Sequence, residues 1–395
     1  MTSGASAAAR RGYIDAARGL AVLLMMEAHT TDAWTRAAAK HSAAFRDATV
    51  LGGFAAPLFL WLAGVAVVLA AGRAEARSGS RAAAVEGICR RGLEIFILAF
   101  LFRLQAFVVS PGSYLVTLFR VDILNVMGPA IALAGLMWGA ASSDAVRVWL
   151  FAAAAAAIAM VTPVVRAASW IDALPTWVQW HLRPSGEYTT FTFFPWIGFV
   201  LAGSAVGALV TAARDEAAES RLHVWLAGAG AALIGVGLVT AARPSIYASS
   251  SFWTSSPTWF AIRVGVMTVA LAGLKGCAAA VDRVRAARAV RPAWRAIERL
   301  GRGSLFVYWI HVELVYGYAS WLWRGRLPLW ATLAAWAAFS ALMYGALVLR
   351  DRVWRSHESP RIRPSARDRG HGSVRHAGDL VGAFDPPAAD AGVAR

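Results

Sequence analysis

Residues 50–72 read VLGGFAAPLFLWLAGVAVVLAAG, and no charged side chain interrupts them before Arg73. As a helix rising ~1.5 Å per residue, such a run crosses the roughly 30 Å hydrocarbon core of a bilayer. Comparable stretches lie near 13–33, 88–109, 123–140, 145–163, 191–213, 222–241, 259–281, 303–323 and 328–350. The 395-residue chain is 58% hydrophobic and only 16% charged, with 18 Trp. A soluble domain cannot hide that much apolar surface, whereas lipid accepts it. The pattern predicts an all-α, polytopic integral membrane bundle of about ten transmembrane helices, with the lipid bilayer as its first partner.

The formal net charge is +16, carried by Arg almost alone, since Lys40 and Lys275 are the only lysines. No basic block accompanies a nucleic-acid motif, so a nucleic-acid partner is not expected. With the N-terminus inside, the inner loops hold Arg10 and Arg11, then Arg73, Arg77, Arg81, Arg90 and Arg91, then Arg147, Arg214 and Arg221, and a further run from Arg283 to Arg302. The outer loops hold fewer: Arg36, Lys40, Arg46, Arg120, Arg166, Arg183, Arg243, Arg324 and Arg326. That bias predicts both ends on the cytoplasmic side. The expected organisation is a cytoplasmic segment 1–12, a membrane domain 13–350, and a basic tail 351–395 whose composition predicts disorder.

Several chemistries find no support. Cys89 and Cys277 form no zinc pattern and read as packing residues, and no metal is expected. No H-E-x-x-H, Walker loop or Gly-x-Ser-x-Gly elbow occurs. There is no internal sequence repeat of the kind many transporters carry. The outer segments 164–190 and 242–258 contain Trp170, Trp177, Trp180, Tyr247 and Trp253. These rings suit lipid-interface anchors or a platform for a sugar ring.

Charges inside spans are costly and mark candidate function. On the first helix Asp15, Arg18, Met25 and His29 fall on one face, and Glu27 points away from it. Asp15 and Arg18, one turn apart, can pair near the inner end, with His29 about 21 Å beyond Asp15. Asp32 follows His29 by three residues and is placed to orient it. In the ninth span Ser304, Tyr308 and His311 share a face, with Glu313 opposite. Such a network serves equally as structural glue between helices. Arg103, inside the third span, calls for a partner that the sequence does not name. Gly203 and Gly207 form a small-xxx-small face for close helix contact.

Together these motifs bear a resemblance. The run Asp15-x-x-Arg18-Gly19-x5-Met25-x3-His29 resembles the opening of the membrane acyltransferases of the heparan-α-glucosaminide N-acetyltransferase family. More loosely, it resembles that of bacterial envelope O-acyltransferases. Pro57 to Gly64, Arg120-x-Asp122-Ile123-Leu124-x3-Gly128 with Asn125 inside it, Phe194-Pro195-Trp196-Ile197-Gly198-x4-Gly203, and Gly303-Ser304-x3-Tyr308-x2-His311 carry the likeness onward in order.

The resemblance implies an acetyl-CoA donor in the cytosol, an external glycan or envelope acceptor, and a catalytic histidine near the outer end of the first helix. That histidine is His29 by the bacterial pattern and His41 by the lysosomal spacing. Arg18, Arg90 and Arg91 at the inner surface are placed to receive the coenzyme A phosphates, although positive-inside bias explains the same residues. The expected location is a bacterial inner membrane, with room for a homodimer. A transporter or channel for an envelope precursor, or a non-catalytic protein of the same fold, remains the alternative.

Overall fold

In a computed structural model, residues 11–109, 114–283 and 289–358 are described. The chain divides into two units, Met1–Arg350 and Asp351–Arg395. Of the second, residues 351–358 are described and helical. The rest of the tail expected at 351–395 lies outside the described residues, as does most of the segment 1–12.

Helices stand at all ten expected places. α1 is Gly12–Trp34, and α2 (Ala43–Gly52) leads into α3 (Ala55–Ser78). Then come α4 (Arg81–Val109), α5 (Ile123–Ala140), α6 (Asp144–Ala167) and a short helix, α7 (Thr176–Leu182). α8 (Phe193–Ala212), α9 (Glu216–Ala241) and α10 (Pro257–Arg283) follow. The series ends with α11 (Arg291–Arg302), α12 (Ser304–Tyr316) and α13 (Leu329–Glu358). Among the described residues there is no strand beyond the isolated bridges Thr35–Leu327 and Val121–Thr189.

Polar caps set several of these boundaries, because the first N–H groups of a helix have no partner within it. Asp122 accepts from Leu124 N (3.1 Å) while Asn125 accepts from Asp122 N (3.0 Å), a reciprocal pair that starts α5. Ser143 caps α6 through Val146 N, and Asp215 caps α9 through Ala218 N. Ser143 thereby separates α5 from α6 across a very short loop.

Among the described residues eight helical segments are long and apolar enough to cross a bilayer, which makes the chain a polytopic helical membrane bundle. α1 and α12 fall short of that measure for different reasons. α1 carries Asp15, Arg18, Glu27 and Asp32. α12 stops at Tyr316, before Gly317 and a 3-10 turn over Tyr318–Ser320, so it is shorter than the expected 303–323. Both lie within the bundle. α1 packs on α2, α3, α10, α11 and α12 and buries residues around most of its circumference, from Tyr13 to Trp34.

Glycines set the closest helix contacts. A Cβ at Gly64 would fall on the Val200 carbonyl, and one at Gly203 on the Trp61 carbonyl, so α3 and α8 meet backbone to backbone. Gly207 lies against Val65, which extends the small-residue face expected from sequence. α1 and α11 are joined in the same way, Gly19 against Ile297 and Gly301 against Asp15. Overpacking a contact of this kind costs about 1–3 kcal/mol. Gly203→Ala is therefore expected to lower the melting temperature of the detergent-solubilised protein. Gly228→Ala, with nothing within 4 Å of its new methyl group, is expected to leave it unchanged.

Candidate active site

A cavity of about 1410 Å³ runs along α1 between α3, α4, α5, α10 and α12. Arg18, Arg91 and Ser304 line one end, and His29, Asp32, Lys40, Arg120 and Tyr316 the other. Arg18 and His29 are separated by about 16 Å of helix rise. Of the three arginines expected near the inner surface, Arg18 and Arg91 reach this cavity. Arg90 points outward and pairs with Glu94 at 3.4 Å. Asp15 is buried beside Arg18, with an Oδ1 to Nη1 distance of 3.7 Å.

The two histidine-bearing faces meet here. His29 Nδ1 lies 2.8 Å from His311 Nε2, joining α1 to α12 across 282 residues of sequence. His29 lines the cavity, and His311 is fully buried behind it. Ser304 and Tyr308 line the cavity on the same α12 face, and Tyr308 packs on Phe102 with ring centroids 5.2 Å apart. Glu313, placed opposite that face by sequence, also lines the cavity.

Asp32 does not hold the His29 ring. Its Oδ2 accepts from Tyr316 OH (2.9 Å), and Lys40 Nζ donates to its backbone carbonyl (2.6 Å) and lies 3.4 Å from Oδ1. The orienting contact on His29 is His311, with the Tyr316 ring set edge-on at 5.6 Å. His41 ends an exposed 3-10 turn, Ala37–His41, outside the cavity wall.

Arg103 finds its partner in Asp122. Its Nε and Nη2 donate to Oδ2 at 2.9 and 2.6 Å, while Asp122 also caps α5. Arg120 donates to Thr190 Oγ1 at 3.0 Å. Burial first, and then the charge of Arg103, pulls the Arg120 guanidinium below the ordinary arginine pKa. Arg263 reaches the cavity from α10 and stacks over Trp259 at 4.9 Å. Among the described residues neither Arg120 nor Arg263 meets a carboxylate within 4 Å, and the Nε of each is buried without a hydrogen-bond partner. Among the described residues the cavity lining holds seven cationic side chains against four carboxylates.

Arg263 and Tyr316 were missed by the sequence reading. Arg263 is a charge inside a span, legible by the same rule that singled out Arg103. Tyr316 gives no such signal, because one aromatic at a helix end looks like an interface anchor. In the outer segment Trp180 is buried and stacks on Tyr188 at 5.0 Å, so it neither faces lipid nor offers a sugar platform, whereas Trp170 is exposed. His181 beside it is buried, which lowers its pKa from the usual histidine value. A second cavity, about 550 Å³, lies among Arg11, Tyr13, Glu219 and Lys275. Its central charges are mutually engaged, Arg11 with Glu219 at 2.9 Å and Lys275 with Glu216 at 2.6 Å. Among the described residues no His, Cys, Asp and Glu cluster is suited to a metal.

The model of the heparan-alpha-glucosaminide N-acetyltransferase catalytic family matches residues 10–237, which takes in α1 to α8 and most of α9. Arg263, His311 and Tyr316 lie beyond the matched segment. No curated protein matches the chain.

Breaking the Arg103–Asp122 pair leaves a buried carboxylate without its counter-charge. Arg103→Ala is expected to cost about 3–5 kcal/mol, read as a lower melting temperature. Arg103→Ala combined with Asp122→Asn is expected to recover part of that loss.

Proposed function

The chain belongs to the heparan-alpha-glucosaminide N-acetyltransferase catalytic family, and from that premise we propose that it transfers an acetyl or short acyl group from cytosolic acyl-CoA to an acceptor across the membrane. The acceptor is an amine or hydroxyl of an external glycan or envelope component. The observation that carries the reading is a single cavity that is lined by Arg18 and Arg91 and by the His29 imidazole and holds a surplus of cations.

Acyl-CoA carries several phosphate charges, and Arg18 and Arg91 are suited to them. Seven cations against four carboxylates favour an anionic occupant over a neutral or cationic one. Arg120 and Arg263 add two guanidiniums without carboxylate partners among the described residues, a costly arrangement that an anionic group on either substrate would relieve. Acyl transfer further needs a group that takes the acceptor's proton near neutral pH, and imidazole does so. His29 faces the cavity and His41 does not, which favours His29 as that base. The Arg-rich loops support an orientation with the Arg18 end and both termini in the cytoplasm, as in a bacterial inner membrane.

A cavity reaching both ends also suits a transporter of an anionic envelope precursor, and one assay separates the two. In proteoliposomes supplied with acetyl-CoA, and glucosamine as the amine probe, the enzyme reading expects an acetylated product and free CoA. The transporter reading expects uptake without covalent change. His29→Ala is expected to lower transfer by roughly 10²–10⁴-fold with the protein still folded, and His41→Ala to leave the rate intact. Loss in the His41 variant with full activity in the His29 variant would move the base into the outer loop. For the orientation, topology reporters at Ser80 and Ser142 are expected to read cytoplasmic and one at Gly186 external. An external reading at Ser80 would invert the assignment.

A further inference from the structure

Hydrogen bonding fixes more than the proximity of the two histidines. His311 Nδ1 lies 2.9 Å from the Val307 carbonyl oxygen and 3.0 Å from that of Tyr308. Carbonyl oxygens only accept, so in the neutral ring this nitrogen carries the proton and His311 Nε2 carries a lone pair. That lone pair faces His29 Nδ1 at 2.8 Å, and only an N–H can meet it. The ring planes differ by 2° and the centroids are 5.0 Å apart. This separation is close to the N···N distance plus the two ring radii. The imidazoles therefore meet edge to edge in one plane, with the hydrogen bond well aligned. His29 Nδ1 is then the protonated nitrogen and Nε2 the bare one. Among the described residues Nε2 has no hydrogen-bond partner.

We propose that His311 is a positioning residue, whose backbone-anchored ring holds His29 in the tautomer that presents the Nε2 lone pair to the substrates. The inference rests on the reading of His29 as the transfer base and adds which atom reacts and what sets it.

The step balances as follows. The acceptor's nitrogen or oxygen forms its bond to the acyl carbonyl carbon while His29 Nε2 takes the acceptor's proton. The C–S bond of the thioester breaks, and CoA leaves as a thiolate that regains this proton from Nε2. Through both stages the Nδ1–H of His29 stays on the His311 lone pair, which stabilises the transient imidazolium. A buried carboxylate fills this orienting position in the serine-protease triad. A neutral imidazole does so without placing a further charge inside the bundle, where charge is costly. Asp32 is unavailable for the role, being held by Tyr316 and Lys40.

The test has two arms. Side-chain ¹⁵N shifts of the histidine-labelled, full-length protein in nanodiscs report the tautomer directly, with His29→Asn assigning its signals. The expected result is a protonated Nδ1 and bare Nε2 on His29, shifting toward protonated Nε2 in His311→Leu. In the acetyl-CoA and glucosamine assay, His311→Leu is expected to lower kcat about tenfold or more with the KM for acetyl-CoA unchanged. His311→Gln, whose amide oxygen can accept from His29 Nδ1, is expected to restore much of it. A protonated Nε2 on wild-type His29 overturns the proposal, and this arm does not depend on the true acceptor. Full kcat in His311→Leu with an inactive His29→Ala also overturns it while leaving the base reading intact. Full activity in His29→Ala overturns the base reading itself.

Discussion

A helix that carries Asp15, Arg18, Glu27 and Asp32 cannot turn those side chains toward hydrocarbon, and the bundle is arranged around that restriction. α1 is enclosed by α2, α3, α10, α11 and α12. The approach is closest where Gly19 and Gly301 let the α1 and α11 backbones touch. Trp34 Nε1 on the Val315 carbonyl and Trp336 Nε1 on the Leu23 carbonyl, both at 3.1 Å, tie the same helix to α12 and α13. Glu27 is buried with Thr31 Oγ1 donating to it at 3.1 Å and Gly52 leaving room for its other oxygen. Each polar group on α1 therefore meets protein or the cavity rather than lipid.

The same enclosure creates the site. A helix with a polar face cannot be packed by apolar neighbours on that face, so the neighbours stand off and leave a cavity. The apolar pairs α3 with α8 and α4 with α5 close through glycines and form the firm wall around it. Charges lining the space include matched pairs, such as Arg103 with Asp122 and Lys40 with Asp32, and the guanidiniums of Arg120 and Arg263, which meet no carboxylate within 4 Å among the described residues. Matched pairs hold helices in place. Unmatched ones leave a positive field that suits an anion.

The end of α1 near Trp34 is fastened to the segment that joins α12 to α13. Arg36 N donates to the Leu327 carbonyl at 2.8 Å, Leu327 N to the Trp34 carbonyl at 3.0 Å, and Gly325 N to the Ala33 carbonyl at 2.9 Å. Tyr316 on Asp32 adds a side-chain clamp between α1 and α12. These contacts, with Trp34 Nε1 on the Val315 carbonyl, hold this end of α1 against α12, where His29 meets His311. A one-residue rotation of either helix, about 100°, would separate the rings.

The span pattern, the all-α class and the polar stripe of α1 were legible in the sequence, because hydropathy and helical period are local properties that each segment carries alone. The His29 face and the Ser304–Tyr308–His311 face were each visible for the same reason. That the two faces confront one another was not. Periodicity reports which side of a helix is polar but says nothing of the partner or the register, and 282 residues separate the two rings. Asp32 illustrates the limit: one turn from His29 on paper, it is drawn to Tyr316 and Lys40 by neighbours from elsewhere in the chain. His29 stood first and His41 second by sequence, and packing places His29 in the cavity wall and His41 on an exposed turn. Sequence determined which segments enter the membrane and which faces are polar, since burial of apolar surface decides that residue by residue. Tertiary structure alone decided which polar faces meet, because contact between distant helices depends on how glycine contacts, caps and outer clasps fix their relative positions.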